Sequence, residues 1–395
     1  MKQFIAKYGI CALLAAGMIT FYDFEMGKTV LILLVVAGSG GLFYGNYRRS
    51  EKKAPGKGRE KNIIVELDIL RVIATVLVIA LHTLEANAGE LGMTDATYVS
   101  RSAVLISCNY LFIMLSGGLS FRYREQNAIL YYISRGIRIL IPMYIYYIWN
   151  YFWHIPLKDM MNLKYLKTVA AQLFAREYVI APQFWLLYPI MLIYLFAPFI
   201  QYMFRSMPYK RVFLLAAVSV AAIFFILRYR STGTDSFWLL PAVVGFFLLH
   251  PETRKLDLPI ILLGLLALPL LLWGHHDSIT DAGGLTCLIA CGIVSLVYFI
   301  CGKLKPGRIV SAVCGFFSRY SFGILLVHWY VLYYLTRDTF GITAISYGGW
   351  VMVLSTIVTF CLSLVFAYLF DNTMIYLLST ICSMLVKLGT KKFLS

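Results

Sequence analysis

Apolar runs close to twenty residues long, separated by short polar stretches, organise almost the whole chain. At 1.5 Å rise per residue such a run spans the hydrocarbon core of a bilayer, where a helix satisfies its own backbone hydrogen bonds. The pattern predicts spans near 4–22, 29–46, 67–84, 99–121, 139–155, 184–204, 212–229, 236–250, 258–273, 285–301, 320–336 and 349–370. The 236–250 and 258–273 runs are short for a perpendicular crossing. A shorter one still, 373–386, is flanked by Lys387, Lys391 and Lys392 and predicts an interfacial helix. Ten-residue alternating strands, the mark of a membrane barrel, are absent from the pattern. The expected fold class is all-α: a polytopic transmembrane helix bundle with a ten-span core and an N-terminal two-span hairpin.

The composition, 60% hydrophobic and 14% charged, excludes an ordinary soluble domain. The net charge of +16 is explained by orientation. With the N-terminus, the 47–66 stretch and every second loop assigned to the cytoplasm, the 35 Lys and Arg divide 26 inside to 9 outside, and the 19 acidic residues divide 8 to 11. Excess positive charge on inner loops predicts a bacterial plasma membrane protein with both termini cytoplasmic, touching anionic lipid and no nucleic acid. Residues 1–47 read as an accessory hairpin, 48–65 as a basic cytoplasmic linker rich in Pro, Gly and charge, 66–371 as the main membrane domain and 372–395 as interfacial helix and basic tail. A cleavable leader fits residues 1–22 less well, because the charged start is thin and a second span follows at once. Internal repeats of the transporter kind are not visible. The eight cysteines lack metal-site spacing and read as small buried hydrophobes; no metal and no permanently bound cofactor is expected.

Against this background, Arg71 and His82 lie eleven positions apart in one apolar helix, roughly 16 Å along its axis. Ionisable groups inside a span cost several kcal/mol by order of magnitude and generally face a cavity where they have work to do. Histidine suits proton abstraction from an alcohol near neutral pH, and Glu85, one turn on, can orient the ring. A satisfied buried histidine is the plainer reading. Arg71 is spaced to pair with Asp68, which a snorkelling ion pair also explains. Arg135 and Arg138 share a helical face just before a span, with Arg122 and Arg124 on the same side; guanidinium forks suit phosphate oxygens, and positive-inside charge explains the same residues. Arginines at the inner face and a histidine deeper in suit a coenzyme A thioester, whose phosphates are anionic and whose pantetheine arm is thin and uncharged.

These residues resemble a family. Glu66-Leu67-Asp68-Ile69-Leu70-Arg71 through His82 is similar to the opening motif of the membrane acyltransferase-3 family, in which an arginine, ten residues and a histidine recur. Asn109 through Ser116-Gly117-Gly118 resembles its second-span serine-glycine motif, Arg135 and Arg138 its paired arginines, and Phe184-Trp185-Leu186-Leu187-Tyr188 its aromatic segment. Ser318 through Ser321-Phe322-Gly323-Ile324-Leu325-Leu326-Val327-His328 is similar to its late motif. The motifs follow in family order over roughly residues 66–371. The resemblance implies transfer of acyl groups, commonly acetyl and sometimes succinyl, from acetyl-CoA or succinyl-CoA to hydroxyls of cell-envelope glycans or glycolipids. It makes His82 and Arg71 the catalytic pair and Arg135 and Arg138 donor contacts, with Arg122 beside them. The extracytoplasmic esterase-like domain of some members is not expected here, and the N-terminal hairpin is extra to the resemblance.

His328 falls about mid-span and is a further candidate for the site. His154, His250, His275 and His276 fall at span ends or loops, and Asp371 is expected to pair with an inner arginine as a structural contact. Direct acyl transfer is favoured because no serine or cysteine nucleophile motif is visible, though an acyl-histidine intermediate fits the same residues. The rival class is a polysaccharide exporter or other multipass transporter, since buried arginine and histidine also line permeation paths. A homo-oligomer is compatible with either.

Overall fold

The computed structural model describes residues 2–22, 26–51, 65–122, 127–152, 156–160, 162–176, 181–229, 235–274, 276, 278 and 282–393. Among them the regular structure is helical throughout, without strands. Ten helices are long and apolar enough to cross a membrane, and Lys7–Thr20 and Ser236–Leu248 are shorter apolar helices. Each of these twelve overlaps one of the twelve predicted spans, although Ala128–Asn150 and Arg308–Thr339 begin eleven and twelve residues before the expected 139 and 320, and the protein is an all-α polytopic helix bundle.

The differences from the predicted pattern are local. The 99–121 run is two helices, Asp95–Leu105 and Ser107–Ser120, joined at Ile106. Between the spans at 139–155 and 184–204 lies a helix Leu163–Ala175, capped by the Asn162 side chain on Lys164 N and ended by Arg176 in the left-handed region at φ 63°. The helix Met26–Glu51 runs on through Arg48 to Glu51, into the stretch expected as linker; residues 52–64 of that linker, including Lys57, lie outside the described residues, as do Arg124, His154, His275 and Asp277. After Arg308–Tyr330 the chain continues as a π-helix over Val331–Thr339.

The chain forms two compact units. One comprises residues 64–132 and 183–361. Its core joins Leu70, Ala74, Leu111, Ile223, Cys287 and Ala290, all fully buried. Because lipid tails are as apolar as leucine, helices in a membrane gain more from close packing through small residues than from burial itself. Gly245 illustrates this. A Cβ there would stand 2.1 Å from the Met114 carbonyl oxygen, and one on Gly117 would stand 2.5 Å from Ala242 Cβ, so the Ser116-Gly117-Gly118 segment is where the Ser107–Ser120 and Leu239–Leu248 helices touch backbone to backbone. Two buried amides tie the same unit: Gln183 Nε2 donates to Leu326 O at 2.9 Å and Gln201 Nε2 to Ser120 O at 2.5 Å.

The other unit comprises residues 1–63, 133–182 and 362–395. In it the N-terminal hairpin meets the C-terminal segment: Tyr8 Oη donates to Asn372 O at 3.0 Å, and the Phe43 ring meets Tyr376 edge-on at 6.0 Å. Asp371 takes its hydrogen bond from Tyr146 Oη at 3.1 Å, where an arginine partner was expected. Beyond it the stretch expected as an interfacial segment is the helix Met374–Phe393.

Candidate active site

Two helices carry most of the candidate chemistry. Val65–Asn87 is apolar along most of its length, so a polar side chain on it needs a partner, from its own helix or from a neighbour. Arg308–Tyr330 supplies two. Ser318 Oγ donates to Asp68 Oδ1 at 2.6 Å and accepts from Arg71 Nη1 at 3.3 Å, while Arg71 and Asp68 pair at 3.4 Å as their spacing predicts. Ten residues further on, His328 stacks on His82 with ring centroids 5.2 Å apart and planes inclined by 27°. Ten residues advance a helix by about 15 Å and eleven by about 16 Å, so the two helices run parallel, joined at two levels.

At the upper level, His82 Nδ1 lies 2.5 Å from Glu85 Oε2. A carboxylate only accepts, so Nδ1 donates to it, and in the neutral ring Nε2 presents its lone pair. His328 is set the same way by a different acceptor: Nδ1 donates to the Leu325 carbonyl at 2.8 Å. That ring is wholly buried, and its Nε2 has no hydrogen-bond partner among the described residues. Trp329 meets His82 edge-on at 4.9 Å and closes another side of the ring. The His82 side chain keeps 13% of its surface accessible, enough for its nitrogen to be reached. Tyr98 and Tyr333 lie within electrostatic reach of Glu85.

The expected arginines divide. Arg122 belongs to the same unit as His82, and one of its amino groups donates to the Leu249 carbonyl at 2.8 Å, leaving other donors of the fork for a ligand. Arg135 and Arg138 lie in the other unit, one turn apart on Ala128–Phe152, the first half-buried and the second exposed.

Three features were not read from the sequence. Ser318 carries no role in the motif reading, although a hydroxyl placed ten residues before an intramembrane histidine marks where a parallel helix would meet Asp68 and Arg71. Arg254 lies over the Tyr298 ring at 3.9 Å and pairs with Asp257 at 3.3 Å; the three-residue spacing of that pair was the available signal. Arg337 ties off the end of the His82 helix, donating to Ala86 O at 2.6 Å, Asn87 Oδ1 at 2.8 Å and Glu90 Oε1 at 2.6 Å. Glu90 in turn accepts from the amides of Ala344 and Ile345, and with the Arg337 guanidinium these hold its carboxyl below the usual carboxylate range. Opposite charges at two loop edges gave no sequence clue to that contact.

A family model described as an acyltransferase domain, that of the acyltransferase-3 family, matches residues 64–371. No curated protein and no solved structure matches the chain.

Proposed function

Since the chain belongs to the acyltransferase-3 family and is a multipass membrane acyltransferase, we propose that it is an O-acyltransferase that moves an acyl group from coenzyme A to a hydroxyl of a cell-envelope polysaccharide or glycolipid. Acetyl is the preferred group and succinyl the alternative. The observation that carries this reading is the Glu85–His82 pair, in which a carboxylate fixes one ring nitrogen and leaves the other for a substrate proton. His82 Nε2 takes the proton of the acceptor hydroxyl as its oxygen attacks the thioester carbonyl carbon. The carbon–sulfur bond then breaks, and the departing coenzyme A thiolate takes up the proton from His82. His328 and Trp329 hold the ring in place and keep water from one face. Arg122, in the unit that holds His82, is a contact for donor phosphate, and Arg135 and Arg138 are further candidates that the resemblance implies; Arg71, fixed by Asp68 and Ser318, adds positive charge about 16 Å along the helix from His82. The charge division among loops supports a bacterial plasma membrane location with cytoplasmic termini, and the parallel course of the Val65–Asn87 and Arg308–Tyr330 helices agrees with it.

The test is transfer by purified protein in detergent, where no sealed compartment exists and a transporter has nothing to do. Mass spectrometry of the glycan reads the group, about 42 Da for acetyl and about 100 Da for succinyl as simple group masses. His82→Gln keeps size and hydrogen bonding while abolishing proton uptake, and is expected to lose at least about 10²-fold in transfer with folding and donor affinity retained. A His82→Gln protein that acylates at the wild-type rate removes His82 as the base.

A further inference from the structure

Two cavities of the unit that holds His82 share Arg101. One, of about 290 Å³, is apolar and is lined by Leu84, Val104, Leu105, Leu268, Leu272 and Met352 around the arginine. The other, of about 310 Å³, is more polar and lies against Gly92, Thr94, Thr97 and Gly349. Each is near the lower bound, about 300 Å³, of ordinary ligand sites, and together they exceed it. Arg101 is exposed and makes no hydrogen bond or ion pair with any described residue. It lies between an apolar space and one whose lining mixes Leu91, Met93 and Met352 with the Thr94 and Thr97 hydroxyls.

The place matters as much as the shape. Leu84 lies thirteen residues beyond Arg71, about 20 Å along the helix and next to the level of His82, so both cavities lie at the end opposite to Asp68 and Arg71. Arg101 follows Tyr98 by one turn, and Tyr98 lies within electrostatic reach of the Glu85 that holds His82. An unpaired guanidinium at a low-dielectric boundary attracts an anion, and phosphate fits its fork of donors. An apolar chain on one side and hydroxyl groups on the other then define the remainder of the occupant. Thr94 and Thr97 hydroxyls, 2.9 Å apart, offer a donor–acceptor pair of the kind that sugar hydroxyls meet.

We propose that these two cavities are the acceptor site, and that the acceptor is a lipid-linked sugar phosphate, its phosphate on Arg101, its lipid chain in the apolar cavity and its sugar in the polar one. The proposal rests on the reading of His82 as the base of acyl transfer, but binding can be measured with no donor present, so the two fail separately. A bulk anionic phospholipid matches the chain and the phosphate but has no sugar ring to fill the polar cavity.

The experiment uses the full chain in phosphatidylcholine nanodiscs, with affinities measured for hexadecyl phosphate, hexadecanol and glucose joined to hexadecyl through a phosphodiester. The expected order is the sugar phosphate tightest, the plain phosphate next and the alcohol weakest. Arg101→Gln is expected to weaken both phosphates about tenfold, and Arg101→Lys to restore part of the loss because charge returns without the fork. Val104→Trp, which fills the apolar cavity, is expected to weaken all three probes, with thermal unfolding confirming that each variant is folded. Unchanged phosphate affinity in Arg101→Gln overturns the proposal. So does hexadecanol binding as tightly as the phosphates, or phosphatidylglycerol displacing the sugar phosphate at equal concentration.

Discussion

Glu85 can be weakened without removing the base it serves, which makes it the sharpest probe of how the imidazole is held. In Glu85→Gln the side chain keeps its length, and its amide oxygen still accepts from His82 Nδ1, but the bond loses its charge. Hydrogen bonds to charged groups contribute about 1.5–3 kcal/mol and neutral ones about 0.5–1.5, so the exchange removes about 1–1.5 kcal/mol. The Glu85 side chain is 30% exposed, and solvent screening moves the expectation to the lower end, about 1 kcal/mol, or roughly fivefold in rate. Glu85→Ala removes the bond, and the ring is then held only by its stack on His328 and its edge contact with Trp329. A loss of about 10- to 10²-fold is expected there. Both variants should change kcat while the donor KM stays within about twofold, because Glu85 acts through His82 rather than on coenzyme A. Steady-state transfer at varied donor concentration separates the two parameters. Wild-type kcat in both variants would refute the role of Glu85 in positioning the base.

Arg135→Ala and Arg138→Ala are expected to weaken coenzyme A binding more than they slow turnover at saturation, with lysine restoring only part; calorimetric titration with donor checks this, and unchanged affinity in both removes them from the donor site. Gly245→Ala places a methyl 2.1 Å from the Met114 carbonyl and should cost about 1–3 kcal/mol, seen as a lower unfolding temperature in detergent; an unchanged midpoint would mean that the two helices separate freely. Glu90, its carboxyl held below the usual range by Arg337, stabilises the end of the His82 helix above the ordinary carboxylate pKa, and that contribution disappears as pH falls through its lowered value. Protection from hydrogen exchange at residues 86–90 and 344–345, taken relative to the intrinsic rate at each pH, should therefore fall in acid in the wild type and be low at all pH values in Glu90→Gln; equal protection in both proteins at neutral pH would contradict the contact.

The spans were legible because lipid imposes a length on every helix, and the His82–Glu85 and Arg71–Asp68 contacts because a three-residue spacing is a geometric relation within one helix. What lies between helices was not. Its mid-span position marked His328 as a candidate, but nothing in its flanking residues says that its ring lies on that of His82, since stacking depends on the rotation of a helix more than two hundred residues away in sequence. Ser318 is a single hydroxyl until Asp68 and Arg71 meet it. Arg101 is a single charge near the start of the 99–121 run, and only the packing of four separate helices around it creates cavities on either side. The break at Ile106 escaped the pattern because Ala103-Val104-Leu105-Ile106 is apolar and carries no Gly or Pro to mark a boundary.

His328 and Arg337 are nine residues apart, which in a regular α-helix is two and a half turns and puts them on opposite faces. Both nevertheless reach the same neighbour, His328 at His82 and Arg337 at Ala86 and Asn87. The π-helix from Val331 to Thr339 reconciles them: with i→i+5 bonding each residue turns by roughly 80–85° instead of 100°, and over six residues the chain gives back roughly a quarter of a turn or more. The extra backbone acts as a phase shifter. Removing one residue from it would leave the hydropathy of the span almost untouched, yet it would force the helix to choose between facing its neighbour with the imidazole and facing it with the guanidinium.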